Sequence, residues 1–376
     1  MERCNRPIYL VFFFWLLISQ ASLAMAIEPE SVEESAEFSL LKTITNVFVV
    51  PNHQNLSQAV TNLTSAMVGF CTNKNEKTYL SAQQAWQEAM KVWSSLSAIN
   101  YGPIDENNIS WRFQFWPDPI NLVSRKFKSR LSGRNKAITA DELAAASIAI
   151  QGLNAIEFLL FDDSVGQAPA FQAKPYLCDI ALATTHNLLN YSKVLQVSWE
   201  STYAERWHIS SGATRHNLDL KRQLENLYSG WVMSLDAIYK NKLSKPLGLD
   251  EKLEKSSKMI NPWLLESWRS RHSIQSIEAS LISARRMYEM DKGFSWYLTQ
   301  KKSKNLALDK RIRHMFRKVF KRLEKITLSA YELIQLEKTE QLESLTEEVA
   351  TLYLMLKLDY AKAANINFRF NAHDGD

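Results

Sequence analysis

The chain has 376 residues, enough for one large or two ordinary domains, and a formal charge of +5. That charge is modest, and no Lys/Arg block is interleaved with aromatics, so a nucleic-acid surface is excluded. Gly and Pro are scarce at 10 each, strand-type alternation is almost absent and long amphipathic runs fill the chain, so the fold class is all-α.

The first residues, 1–26, read as a secretory signal peptide. Arg3 and Arg6 supply the positive start, Ile8–Ile18 the apolar core, and Ala24-Met25-Ala26 an A-x-A cleavage site. The mature chain is expected to start at Ile27 and to keep no stable membrane span; an uncleaved anchor is the alternative. Cys4 lies ahead of the apolar core, which leaves Cys71 and Cys178. In an oxidising compartment they are expected to pair, with two separate buried thiols as the alternative.

A first helix is expected from Ala36 to Val50, stopped by Pro51, and a second from Asn55 to Phe70, with Leu56, Val60, Leu63, Met67 and Phe70 on one face. The third, Tyr79–Ile99, carries a stripe of Ala82, Ala85, Trp86, Ala89, Trp93 and Leu96, which reads as close helix contact. The segment from Asn100 to Pro119 is irregular, because Gly102-Pro103, Pro117 and Pro119 forbid a continuous helix. It mixes Trp111, Phe113, Phe115 and Trp116 with Asp105, Arg112 and Asp118. Such a loop is either stapled onto a bundle or part of a ligand site. A short helix Asn121–Leu131 and a basic linker follow.

Leu143–Phe161 (LAAASIAIQGLNAIEFLLF) is the most apolar stretch of the expected mature chain. It reads as one buried helix, opened by a capping box at Thr139 and Glu142. A membrane span is disfavoured, since Gln151, Gly152, Asn154 and Glu157 cluster at its middle. Gly152 suggests close approach of another backbone. Glu157, with Asn154 on the same face, is the one ionisable group whose surroundings predict a pKa raised by desolvation. A buried Glu satisfied by an Arg or by backbone groups is the plainer reading.

Tyr176–Trp207 reads as a long helix, and Ser210-Ser211-Gly212 breaks the chain. The domain boundary is placed there, giving one helical bundle over 36–209 and a second over 210–376. Further helices are expected at Asn217–Leu243, Ser273–Glu289, Leu306–Lys338 and Glu340–Ala364. The basic run Lys310–Lys325 has Met315, Val319 and Leu323 along one side, a solvated basic face. Between Asp250 and Arg271 the chain is again irregular and rich in Trp, Arg and Ser. The echo of Ile150-Gln151-Gly152 in Ile274-Gln275-Ser276 fits bundles related by duplication.

No tight metal-ligand pair is present among the 7 His residues, and there is no C-x-x-C, G-x-S-x-G, P-loop or dinucleotide fingerprint. Several segments together do resemble the imelysin family of exported helical proteins. They are Ala85–Ile104, Arg112–Asp118 (RFQFWPD), Ile150–Asp163 (IQGLNAIEFLLFDD), Leu243–Gly248, Glu266–Ser270 and Phe370–Asp376. The family signature, G-x-H-x-x-E, stands here as Gly152-x-Asn154-x-x-Glu157, with Asn in place of His.

The resemblance implies two four-helix-type bundles with the signature lining a cleft between them, and a periplasmic location. It also implies either a metallopeptidase or a binding protein tied to iron acquisition. Asn is a poor zinc ligand, so no catalytic residue and no metal ligand is assigned. The favoured reading is a non-enzymatic binding or accessory protein for iron or nutrient uptake. Its cleft would be lined by Gly152, Asn154, Glu157, Arg112, Trp116, Asp118 and Arg269. The alternative is a metal-dependent peptidase with an altered ligand set. No cofactor is fixed by the sequence; iron or another divalent metal is the candidate. Partners would be a small ligand or metal ion and envelope uptake proteins.

Overall fold

The computed structural model describes residue 1 and residues 35–133, 138–165, 167–203, 214–249, 259–301 and 305–367. The signal peptide, most of the basic linker, the break at Ser210–Gly212 where the domain boundary was placed, and Phe370–Asp376 lie outside them. Contacts gather Glu34–Asp376 into one unit. Every regular element described is helical.

Helices α1 (Ala36–Ile44) and α2 (Val50–Thr72) are joined by a wider π turn, Thr45–Val49. The expected stop at Pro51 does not occur. Pro51 sits in the first turn of α2, where a missing N–H costs little. Side chains take the carbonyls of the turn. Arg286 Nη2 donates to Val47 O at 3.3 Å, Asn52 Nδ2 to Phe48 O at 2.7 Å and His53 Nδ1 to Val49 O at 2.8 Å. A carbonyl can only accept, so the His53 proton is on Nδ1.

Helix α3 (Glu76–Ser95) opens with a capping box at Asn75 and Thr78. After it come a 3₁₀ stretch (Gly102–Asn108), the short α4 (Ile109–Phe113), an extended run and α5 (Leu122–Ser132). Asp118 caps α5, its two carboxylate oxygens accepting from Leu122 N at 2.6 Å and Val123 N at 2.9 Å.

The expected single helix over Leu143–Phe161 is broken. It consists of α6 (Ala140–Ala145), a 3₁₀ turn (Ile148–Ile150) and α7 (Gly152–Phe161). The capping box at Thr139 and Glu142 is present. Gln151 is extended and Gly152 has φ +74°, a conformation that side chains disfavour. A Cβ on Gly152 would lie 2.4 Å from Phe113 O. The glycine therefore marks both the break and a close approach by the end of α4.

After α8 (Ala168–Ala173), α9 (Tyr176–Ser198) runs on into a π turn at Trp199–Tyr203. Helix α2 packs against α3 and α9, and α7 against the same two helices. Leu56, Val60, Leu63, Met67 and Phe70 are all fully buried on α2, each worth about 1.5–3 kcal/mol of transfer free energy. Cys71 and Cys178 form a disulfide that closes a loop of 107 residues between α2 and α9. In the chain-entropy model such a loop contributes about 4–5 kcal/mol.

The later helices are α10 (Thr214–Ala237) with a π segment Ile238–Ser244, then α11 (Ser273–Glu289), α12 (Phe294–Lys301) and α13 (Leu306–Leu323). They are followed by α14 (Ala330–Gln335), α15 (Glu340–Leu354) and α16 (Ala361–Ala364). The expected helix Leu306–Lys338 is two helices, because a capping box at Ser329 and Glu332 opens a new one. α12 was not foreseen. Here α15 packs against α10 and α13, and α11 bridges to α3. Trp231, Tyr288 and Phe294 stack, and Tyr360 meets Phe294 edge-on, in one aromatic core.

Replacing Gly152 by Ala forces a disfavoured φ and a backbone clash together. The expected loss is at least about 3 kcal/mol, read as a shift in urea midpoint. A loss below about 1 kcal/mol would show that the α4–α7 approach is not as tight as described.

Candidate functional site

The break before α7 leaves helix carbonyls without helical partners, and two side chains cover them. Arg112 Nη1 donates to Ala144 O at 2.8 Å, and Gln151 Nε2 donates to Ala146 O at 2.9 Å. Arg112 also donates through Nε to Asn107 O at 3.2 Å. It is thus a brace between the irregular segment and the end of α6. On the other flank, α3 holds α7 by its backbone. Trp86 Nε1 donates to Leu153 O at 2.8 Å, and Gln83 Nε2 to Leu160 O at 2.8 Å.

Glu157 is 1 % exposed. Its Oε1 accepts from Ser270 N at 3.0 Å and from Ser270 Oγ at 2.9 Å. Burial raises its pKa above the usual carboxylate range; the Arg269 charge and the Ser270 bonds pull the other way without cancelling it. The neighbouring Arg269 is held at three points. Its Nε donates to Asp162 Oδ2 at 2.8 Å, and its Nη2 to Asn121 Oδ1 at 3.2 Å and Ser124 Oγ at 2.5 Å. Asp162 is held below the usual carboxylate range despite desolvation, through its bonds to Ser164 and Arg269.

A second buried ion pair stands nearby. Lys242 Nζ, from the π segment, lies 2.7 Å from Glu266 Oε2, both side chains under 10 % exposed. Gln114 Nε2 donates to Glu266 Oε1 at 3.0 Å, and Trp93 Nε1 donates to Gln114 Oε1 at 2.7 Å. The Lys242 ammonium also sits 5.9 Å from the centre of the Trp116 ring. Removing one partner of such a pair costs about 3–5 kcal/mol, because the other charge is left buried.

Between these networks lies a small pocket. Among its lining residues are Trp116 and Asp118 from the irregular segment, Asn154 and Glu157 from α7, and Trp263 and Arg269 from the segment before α11. About 20 Å³ of it is open to a water-sized sphere, room for about one water. Asn154 is 7 % exposed, and its Oδ1 has no hydrogen-bond partner. Trp116, Asp118, Asn154, Glu157 and Arg269, all expected at the site, thus meet at one place. Gly152 and Arg112 are not in the lining; they position α7 from behind. Asn121, Ser267, Trp263 and Trp268 were not singled out from the sequence but belong to the same pocket. For Trp263, Ser267 and Trp268 the signal was the density of Trp, Arg and Ser between Asp250 and Arg271.

The Imelysin family model matches residues 49–357. The chain belongs to the imelysin family. An imelysin-like protein from Psychrobacter arcticum is 16 % identical, with a TM-score of 0.73 over 90 % of this chain and 99 % of that one. A proposed iron-regulated protein A precursor from Parabacteroides distasonis is 17 % identical, with a TM-score of 0.67 over 88 % of this chain and 95 % of that one. At such identities the likeness establishes the imelysin fold. No curated protein matches the chain significantly.

The metal centre suggested for the imelysin signature does not fit the residues here. Asn154 offers an amide oxygen where the signature has an imidazole. Glu157 spends Oε1 on Ser270, and among the described residues no group of three His, Cys, Asp or Glu side chains could hold a metal.

Replacing Glu157 by Gln keeps an acceptor for Ser270 N–H and changes stability at pH 7 by less than about 1 kcal/mol, whereas Leu leaves that donor unpaired and costs about 1–3 kcal/mol. Equal costs in urea titrations would show that Ser270 does not depend on the carboxyl oxygen.

The pH dependence has a definite sign. Burial lowers His53 and His272 from 6.5 to about 4. Between pH 6.5 and 4 the unfolded chain takes up more protons at these positions, so their contribution to stability falls as pH falls through that window. Each is worth up to about 3 kcal/mol. Glu157 runs oppositely, losing stability as pH rises above its ordinary value. Urea midpoints should drop from pH 7 to pH 4.5, and His53→Gln should flatten the profile. An unchanged slope in that variant would count against the buried neutral imidazole.

Proposed function

We propose that this imelysin-family chain is an exported envelope protein that binds a small ligand and serves iron or another nutrient uptake system, without cleaving peptides. The observation that carries the reading is the pocket itself. Asn154 and Glu157, at two of the signature positions, form one wall of a small, partly enclosed site, with an amide oxygen that has no partner. The substitution of Asn for the signature His weighs against catalysis through a metal. The disulfide fits an oxidising compartment. No helix among the described residues is long and apolar enough to cross a membrane. The structural neighbour described as iron-regulated supports the link to iron. Bundles over 36–209 and 210–376, meeting at the pocket, complete the proposed organisation. The partners would be envelope uptake proteins that receive the ligand.

The expected outcome in cells is accumulation of the protein under iron limitation and slower uptake of radiolabelled iron when its gene is deleted. Purified protein should cleave no peptide library, with or without added zinc. Stoichiometric zinc whose removal abolishes peptide cleavage would replace this reading with the metallopeptidase one.

A further inference from the structure

We infer that the pocket between α7 and the Trp263–Arg269 segment receives the ammonium head of an organic amine. The inference rests on the reading of the chain as a binding protein and names the chemistry of its ligand. It stands on what the lining residues have left to offer.

Arg269 gives the N–H groups of Nε and Nη2 to Asp162, Asn121 and Ser124. The Ser270 N–H and hydroxyl are given to Glu157. Asn154 is more than nine-tenths buried, and its Oδ1, an acceptor, has no partner. A ligand that meets this oxygen must donate a hydrogen bond.

The charge points the same way. Each cation beside the pocket already has its own carboxylate: Arg269 has Asp162, and Lys242 has Glu266. Asp118 lines the pocket and takes its bonds from backbone N–H groups, not from an ion-pair partner. The lining therefore favours a positive guest.

The aromatic content completes the argument. The indoles of Trp116, Trp263 and Trp268 line the site. Two of them already host cations in this protein: Lys242 at 5.9 Å from Trp116 and Arg269 at 4.3 Å from Trp268. Trp263 is 55 % exposed, which places an indole where the ligand's apolar stem would leave the pocket. With about 20 Å³ of open space, the site admits a head the size of one water and excludes a bulky one. An ammonium group with a single alkyl substituent meets each of these conditions.

The test is calorimetric titration of the full mature chain at pH 7 with n-butylammonium chloride, n-butanol and potassium chloride, followed by thermal melting with each, and with ferric iron. Saturable binding of butylammonium and none of butanol or potassium supports the inference. Asn154→Ala should weaken butylammonium at least about ten-fold, the cost of a lost hydrogen bond to a charged group. Trp263→Ala, at a mostly exposed position, should weaken it several-fold while leaving the melting temperature unchanged. Binding of potassium in place of butylammonium would overturn the inference in favour of an inorganic cation. Stabilisation by ferric iron with no response to butylammonium would overturn it and leave the iron-binding reading standing. No response to any of the four would overturn the inference and count against the binding reading as well.

Discussion

A guanidinium withdrawn from water at Arg269 must find acceptors, and the geometry of the site follows from the three it reaches through Nε and Nη2. Asp162 lies just beyond the C-terminal end of α7, Asn121 at the N-terminus of α5 and Ser124 in its first turn. One side chain thereby fixes three points of the N-terminal half from a segment far along the chain. The next residue, Ser270, reaches the middle of α7 through its backbone N–H and hydroxyl. Two consecutive residues clamp α7 at its centre and its end. Such a clamp is costly to break by halves, since each lost partner leaves a buried polar group unmet.

The same logic explains why α7 begins where it does. A helix continuous from Thr139 would carry α7 on the axis of α6. The positive φ at Gly152 and the extended Gln151 turn the chain instead, and the end of α4 fills the space a side chain would need. Arg112 and Gln151 repair the hydrogen bonding that the turn disrupts. The result presents Asn154 and Glu157 to the pocket and buries the remainder of α7 among α3 and α9. The buried Lys242–Glu266 pair then closes the neighbouring side, positioned by the π segment that ends α10.

Much of this was legible in the residues, and the exceptions have physical causes. Composition and periodicity gave helices because apolar faces recur at helical spacing in nearly every segment. The burial of Glu157 followed from its apolar neighbours, and the close approach at Gly152 from the lack of any other reason for glycine there. The break itself was hidden, because Ala, Ser and Ile between Ala146 and Ile150 carry no stop signal and keep the helical period. Pro51 was read as a stop because the π turn before it, which absorbs the proline, depends on Arg286 far along the chain. The capping box at Ser329 and Glu332 was present in the sequence but masked by continuous amphipathicity. At the site, Ser270 and Asp162 could not be named, since pairs separated by more than a hundred residues leave no local pattern. Trp116, Asp118 and Arg269 were reachable because aromatics and charges crowd into segments too irregular to be helices.

The disulfide has a bearing on how this molecule breaks. Cys71 and Cys178 enclose α3, the irregular segment, α5, α6 and α7. One wall of the pocket, from Trp116 to Glu157, lies inside that loop, and the other, from Trp263 to Arg269, lies beyond it. A protease that cuts the backbone once anywhere between the two cysteines therefore produces no free fragment. Both walls stay on one covalent molecule until the bridge is reduced. Resistance to nicking is thus tied to redox state, and an oxidising compartment is the setting in which a cut chain could keep its pocket.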